Sequence, residues 1–197
     1  MILYFLFYLL GKEIPVRAMA TIERSKFKTG IGTLYYLWTD RNNEINAVYI
    51  GNNRSACLQY LKKLRNEYGG SDKLIFNDKK SNKIETAVND YLEGRIRNIG
   101  FKYMFLAGTE FERKVWNKLA SIPYGGTISY KKLAKLIGHS GACRAVGSAL
   151  RKNPLMLAVP CHRVIRSDGS IGKFSGGEKV KRFLLNLENS CKPEGIL

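Results

Sequence analysis

The chain has 197 residues, 45% of them apolar, enough for one large or two small domains around a real core. Lys and Arg number 33 against 16 Asp and Glu, a net charge of +17, which makes a polyanion, nucleic acid first, the leading partner. Four cysteines (57, 143, 161, 191) without a C-x-x-C pair, and only two histidines (His139, His162), exclude a zinc set by spacing and point to free thiols in a reducing, cytoplasmic setting.

The charge is uneven: residues 1–108 carry 17 basic and 10 acidic side chains, residues 109–197 carry 16 and 6. Residues 1–10, MILYFLFYLL, are apolar but too few to span a bilayer. They lack the basic start and small-residue cleavage site of a signal peptide, so they read as a buried strand, with Met19 as a second candidate start. Alternation over Thr33–Trp38 and Ala47–Gly51 predicts two strands, joined by a polar hairpin loop from Asp40 to Asn46. Leu58, Leu61 and Leu64 have helical spacing, ended by Gly69-Gly70-Ser71. Residues 83–98 predict another helix, with Ala87, Val88, Tyr91 and Leu92 on one side. No recognisable chemistry stands in this α+β half. The domain reading is 1–100, a connector at 101–108 with a strand in Phe101–Ala107, and 109–197.

Thr109 and Glu112 form a capping box for a helix through about Ser121 that buries Phe111, Val115, Trp116 and Leu119. Ser129 caps a short helix, Tyr130 to Ile137, stopped by Gly138. A second helix runs from about Gly141 to Lys152, where Asn153-Pro154 ends it. Two short helices around a tight glycine turn predict a helix-turn-helix. Arg144, Ser148 and Arg151 share one face of the second helix, with Ala145 and Ala149 near it, a surface that can approach nucleic acid closely. The bland reading is a helical pair packed in a core.

Then comes Val159-Pro160-Cys161-His162-Arg163-Val164, a thiol carried beside an imidazole on a buried, extended segment stiffened by proline. Only the thiolate is nucleophilic, and a neighbouring imidazole or cation favours it. Buried cysteines usually act as small hydrophobes, so the adjacency gains weight from its surroundings. Arg166 to Ser170 signals a hairpin turn, and Phe174-Ser175-Gly176-Gly177 a flexible loop. A last helix, Glu178 to Glu188, should bury Val180, Phe183, Leu184 and Leu187.

Residues 109–188 resemble the catalytic domain of the O6-alkylguanine-DNA alkyltransferases. The motifs are Ile128-Ser129-Tyr130, Arg144-Ala145-Val146-Gly147, Asn153-Pro154, Pro160-Cys161-His162-Arg163-Val164 and Lys181…Leu184-Leu185…Glu188, in order over about eighty residues. The resemblance implies an α+β protein, a small ribonuclease-H-like N-terminal domain followed by a mainly helical domain with a helix-turn-helix. It implies a monomeric DNA repair protein that moves an alkyl group from guanine O6, and from thymine O4, in duplex DNA to Cys161, irreversibly and without cofactor, metal or membrane. By the same resemblance His162 deprotonates Cys161 through a water, Glu188 orients His162, Tyr130 gives a proton to the leaving base with Lys181 beside it, and Asn153 shapes the turn before the nucleophile. Arg144 fills the gap left by the flipped base. Ser129, Tyr130, Lys131, Ala142, Ala145, Arg151 and Ser167 contact DNA, and Val164, Leu150, Phe174 and Ser175 line the alkylguanine pocket. Phe174 stands where the family usually has tyrosine, so a hydroxyl is missing at the pocket edge. The charge and helix pair would also suit a transcription regulator without catalysis, which leaves Cys161 and His162 without a role. A cysteine hydrolase would leave the basic helices without one.

Overall fold

The computed structural model describes residues 21–41, 44–68 and 75–190; the apolar decade, Met19 and Cys191 lie outside them. Strands β1 (Thr21–Thr29), β2 (Gly32–Arg41) and β3 (Glu44–Gly51) form an antiparallel meander. β4 (Ile75–Asp78) adds to β1 and β5 (Lys102–Tyr103) to β3, both in parallel, giving the order β4-β1-β2-β3-β5. The expected loop from Asp40 to Asn46 is mostly strand: Asp40 pairs with Ile45 and Arg41 with Glu44. Backbone pairing there is indifferent to the polar side chains that suggested a loop. β1, with charged residues at four of its nine positions, carries no apolar alternation; its register on β2 fixes it.

The sheet is buried on both faces because successive side chains point opposite ways. Leu34, Tyr36 and Trp38 on one face join a cluster that continues through Val88, Trp116, Leu150 and Cys161 to Leu184. On the other, Leu37 and Val48 pack on Cys57, Leu61 and Leu64 of α1 (Arg54–Tyr68). The buried stripe of α1 therefore starts at Cys57, and Leu58 faces out, 51% exposed. Helix α2 (Asn82–Leu92), capped by Ser81, buries Ile84, Val88, Tyr91 and Leu92. It stops six residues before the expected end because Gly94 turns to a φ of 75° and the Asp90 carbonyl takes the Arg95 and Ile96 N–H groups. Of the strand expected over Phe101–Ala107 only Lys102–Tyr103 pairs; Phe105 instead stacks on Trp116 at 5.0 Å.

The Thr109–Glu112 capping box is present and opens α3 (Glu110–Ala120). Glu112 is buried in place of Phe111, which is only partly covered, and Lys152 Nζ meets its Oε1 at 2.6 Å. Trp116 Nε1 donates to the Ala149 carbonyl at 2.9 Å, satisfying a last-turn acceptor of α5 (Cys143–Arg151). Truncating this indole would cost about 3–5 kcal/mol. α4 (Tyr130–Leu136), capped by Ser129, precedes α5 across a tight turn in which His139 N–H bonds the Ala134 carbonyl at 2.9 Å. Two-residue strands β6 (Ile128–Ser129) and β7 (Val164–Ile165) pair in parallel, and α6 (Glu178–Ser190) is the last described element of a mixed α/β molecule. The buried face of α6 is Lys181, Leu184 and Glu188; of the expected apolar set only Leu184 is fully buried, Val180 and Leu187 are partly covered, and Phe183 is 41% exposed. Among the described residues no helix is long and apolar enough to cross a membrane.

Candidate active site

The nucleophile segment is a series of tight turns rather than the expected extended run. Leu157 adopts a φ of 75°, a strained conformation for leucine, within a turn closed by Val159 N–H to the Leu155 carbonyl at 2.8 Å. Pro160, at φ −79° and ψ 67°, makes an inverse γ-turn in which Cys161 N–H bonds the Val159 carbonyl at 2.8 Å. Proline pre-sets that φ, so the ring that suggested extension instead aims the next residue. Cys161 then begins a 3₁₀ turn, Cys161–Arg163, all three residues buried.

Asn153, just past the end of α5, holds this bend. Its amide donates to the Val159 carbonyl at 2.8 Å and to Cys161 Sγ at 3.2 Å, and its Oδ1 accepts from Leu155 N–H at 3.0 Å. Behind it, β3 grips the same segment: Ile50 N–H bonds the Pro154 carbonyl at 2.7 Å and the Ile50 carbonyl takes Met156 N–H at 2.9 Å.

His162 is fully buried, and its Nε2 lies 2.6 Å from Glu188 Oε1. Arg163 reaches the same carboxylate from Nε (2.9 Å to Oε2) and Nη2 (3.0 Å to Oε1), while its Nη1 bonds the Ile122 carbonyl at 2.5 Å. The Gly125 N–H donates to Oε2 at 2.8 Å, and the Tyr91 hydroxyl, from α2, donates to Oε1. Burial alone would raise the carboxyl; the bonds from His162, Arg163 and Tyr91 outweigh it and hold Glu188 at about 2. It is therefore ionised, and Arg163 already balances its charge.

That balance decides the state of the imidazole. Burial lowers the basicity of His162 below its ordinary value; Glu188 pulls the other way, while Arg163 and Lys181 add to the lowering. A neutral ring donating Nε2–H to Glu188 leaves Nδ1 as the basic nitrogen, and Nδ1 has no hydrogen-bond partner among the described residues. Burial likewise pushes the Cys161 thiol up, opposed by Asn153 and Lys181. The resting site thus holds an uncharged thiol beside an uncharged base, poised for proton transfer on demand.

Lys181 is fully buried; its Nζ donates to the Val164 carbonyl at 2.6 Å, and burial lowers its pKa to about 8 against the opposing pull of Cys161. Its interaction is thus with Val164 and, through space, with Cys161. Tyr130 is half-buried, its hydroxyl 3.3 Å from the Lys173 carbonyl, and burial raises its phenol. Gly172 lies against that hydroxyl, where a Cβ would come within 3.1 Å. Phe174 is half-buried and sits edge-on to His162, centroids 6.5 Å apart. A Cβ on Gly176 would come within 2.7 Å of the Phe174 ring, and Asn52 Nδ2 holds the Gly176 carbonyl at 2.9 Å. Val164 and Leu150 are buried, and Ser175 is exposed.

On α5, Arg144, Ala145 and Arg151 are exposed and Ala142 and Ser148 half-buried; Lys131 and Ser167 are also exposed, and Ser129 is half-buried with its Oγ taking the Lys132 N–H. Ala149, expected near that face, is buried because α5 turns it onto Trp116. The structure therefore gathers Cys161, His162, Glu188 and Lys181 into one buried cluster with half-buried Asn153 beside Cys161, and leaves Arg144, Ala145 and Arg151 of α5 on the surface.

Two site residues were beyond the sequence reading. Arg163 carried a signal, since an arginine inside an apolar run must find a buried partner. Tyr91 carried a weaker one, a phenol on a buried helix face that needs an acceptor. Neither signal names Glu188.

Residues 110–190 match the family model described as the 6-O-methylguanine DNA methyltransferase DNA binding domain. The inducible methylated-DNA–protein-cysteine methyltransferase of Bacillus subtilis (strain 168) is 37% identical over 147 residues, 75% of this chain and 81% of that protein. The crystal structure of Mycobacterium tuberculosis O6-methylguanine methyltransferase is 28% identical and superposes with a TM-score of 0.69 over 88% of this chain and 96% of the other. A crystal structure of Mycobacterium tuberculosis OGT in complex with DNA gives a TM-score of 0.67 at 28% identity, over 88% of this chain and 96% of that one.

Proposed function

The chain belongs to the methylated-DNA–protein-cysteine methyltransferase family, and from that premise we propose that it transfers an alkyl group from O6 of guanine in duplex DNA to its own Cys161, once per molecule. The observation that carries this is the buried line Asn153–Cys161 and His162–Glu188, with Nδ1 of a neutral His162 free to accept a proton. A nucleophile, a base and an orienter in that relation activate a thiol.

In this reading the Cys161 proton passes through a water to His162 Nδ1. The thiolate attacks the alkyl carbon, an S–C bond forms, and the C–O6 electron pair leaves with the guanine. Tyr130 supplies the proton that the departing base needs. The imidazolium is stabilised by Glu188 at 2.6 Å, and the thiolate by the Asn153 amide and the buried Lys181 charge. No carbonyl is attacked, so no oxyanion hole is needed, and the stable thioether ends the molecule's working life.

The target base must leave the stack. We assign the α4–α5 pair as a helix-turn-helix whose second helix approaches DNA, with Arg144 filling the gap and Ser129, Lys131, Ala142, Ala145, Arg151 and Ser167 contacting the strand. Val164, Leu150, Phe174 and Ser175 are assigned to the pocket. The sheet half, to residue 100, is a ribonuclease-H-like unit joined through 101–108 to the catalytic unit, and the protein acts as a cytoplasmic monomer. The regulator reading leaves a fully buried Cys–His–Glu line unexplained.

Intact mass after incubation with duplex carrying O6-methylguanine tests the proposal. A gain of one methyl group, mapped to the peptide containing Cys161, is expected; an unchanged mass, or a methyl on another residue, rejects it.

A further inference from the structure

Resting on the alkyl-transfer reading above, we infer that Tyr91 is a positioning residue for the reaction: its hydroxyl, delivered from the sheet half, shares Glu188 Oε1 with His162 and so limits how strongly Glu188 draws a proton onto the imidazole.

The geometry is specific. Tyr91 is 1% exposed on the apolar face of α2, with its ring edge-on to Tyr124 at 5.9 Å. Its hydroxyl donates to Oε1 and stands 3.5 Å from His162 Nε2. Oε1 also receives His162 Nε2 at 2.6 Å and Arg163 Nη2 at 3.0 Å. Three groups thus draw on one oxygen, and a carboxylate oxygen that gives density to two of them has less for the third. The other groups facing Glu188 are the Gly125 N–H on Oε2 and Arg163 Nε, with the Tyr124 ring 5.7 Å from the Arg163 guanidinium and Lys181 on the same helix acting on His162. Burial and the neighbouring Glu188 both raise the Tyr91 phenol, so it stays protonated and meets the carboxylate as the donor.

The consequence has a sign. Removing the hydroxyl concentrates charge on the oxygen that faces His162, which makes the ring easier to protonate. The neutral base is then lost at a higher pH, and transfer falls off earlier on the acid side. A phenol that merely fills the core and satisfies its own hydroxyl would leave that limb where it is.

Tyr91→Phe keeps the ring and removes only the hydroxyl. Two measurements are made on the full chain: the pH dependence of single-turnover transfer from O6-methylguanine duplex, and the pH titration of the His162 ring nitrogens by ¹⁵N NMR without substrate. The bond to the ionised carboxylate is present in both states of the ring, so only part of its strength reaches His162, a shift of roughly half a pH unit, and the acid limb and the nitrogen titration should both move up by about that much. Replacing Tyr91 by 3,5-difluorotyrosine retains ring and hydroxyl but donates more strongly, and should move both curves down. Unshifted His162 titrations in both variants overturn the inference. Because the nitrogen titration uses no DNA, it separates failure of this link from failure of the transfer reading, which a wild-type protein that gains no methyl group would reveal.

Discussion

Asn153 Nδ2 lies 3.2 Å from Cys161 Sγ and 2.8 Å from the Val159 carbonyl, so one amide at the end of α5 both supports the thiol and shapes the turn that presents it. A hydrogen bond to a charged group contributes about 1.5–3 kcal/mol, which corresponds to roughly 10- to 100-fold in rate if it acts on the thiolate alone. Asn153→Ala should slow transfer by that amount with duplex affinity largely kept. Asn153→Asp should be slower still, because a carboxylate beside the sulfur disfavours the thiolate. Stopped-flow transfer and a binding titration on each variant check this; wild-type rates in Asn153→Ala would remove the amide from the mechanism.

Glu188 should govern acid stability. Its folded pKa is held at about 2, against about 4.3 for an unfolded glutamate, so its contribution is complete above the unfolded value and disappears as pH falls toward 2. The lowered His162 works in the same direction, since a ring that resists protonation in the fold favours unfolding once pH drops below about 6.5. Glu188→Gln should flatten the low-pH part of the melting curve. It should also destabilise the protein by about 3–5 kcal/mol near neutrality, because Arg163 is left buried without a counter-charge. Melting temperature against pH for both proteins reads both effects.

Arg144 is exposed on α5, away from the buried cluster. Arg144→Ala should therefore slow repair in duplex DNA far more than reaction with free O6-benzylguanine, which needs no flipping. Equal losses on both substrates would count against the stack-filling role.

Binding should be steeply salt-dependent. A chain with net charge +17 that meets phosphates through several Lys and Arg releases counterions, so log K should fall linearly with log salt at about 0.9 per contact made. A flat response, or strong preference for one operator sequence, would restore the regulator.

Alkylation should loosen the protein. Cys161 is 4% exposed and packed in the main cluster, and an added carbon in a tight core costs about 1–3 kcal/mol. The resting thiol is uncharged, so no charge pair is lost and overpacking is the whole effect. For a chain of this size the methylated form should melt roughly 2–12 °C lower, and the benzylated form lower again. Coincident melts of the three forms would refute the strain argument.

Much of the helical half was legible in the chain. The Thr109–Glu112 box, the Ser129 cap and the Gly138 stop act within four residues, so their energetics are complete in the local sequence. The order of motifs from Ser129 to Glu188 likewise needs no coordinates to read. The sheet was half legible: β2 and β3 carry apolar runs, whereas β1 and β4 are strands because a partner exists to pair with.

By itself the sequence singled out the residues to which we assign the chemistry: a cysteine beside a histidine, behind an asparagine and ahead of a glutamate. Only the tertiary structure decided their charge states. Arg163 neutralises Glu188, Tyr91 reaches it across 97 positions, and α6 turns Lys181 and Glu188 inward while leaving Phe183 in solvent. Apolar periodicity alone picks out Leu184 on that face and misses both charged residues. It fails here because a buried charge becomes tolerable once a partner waits opposite it, and that partner is brought by packing from a distant part of the chain.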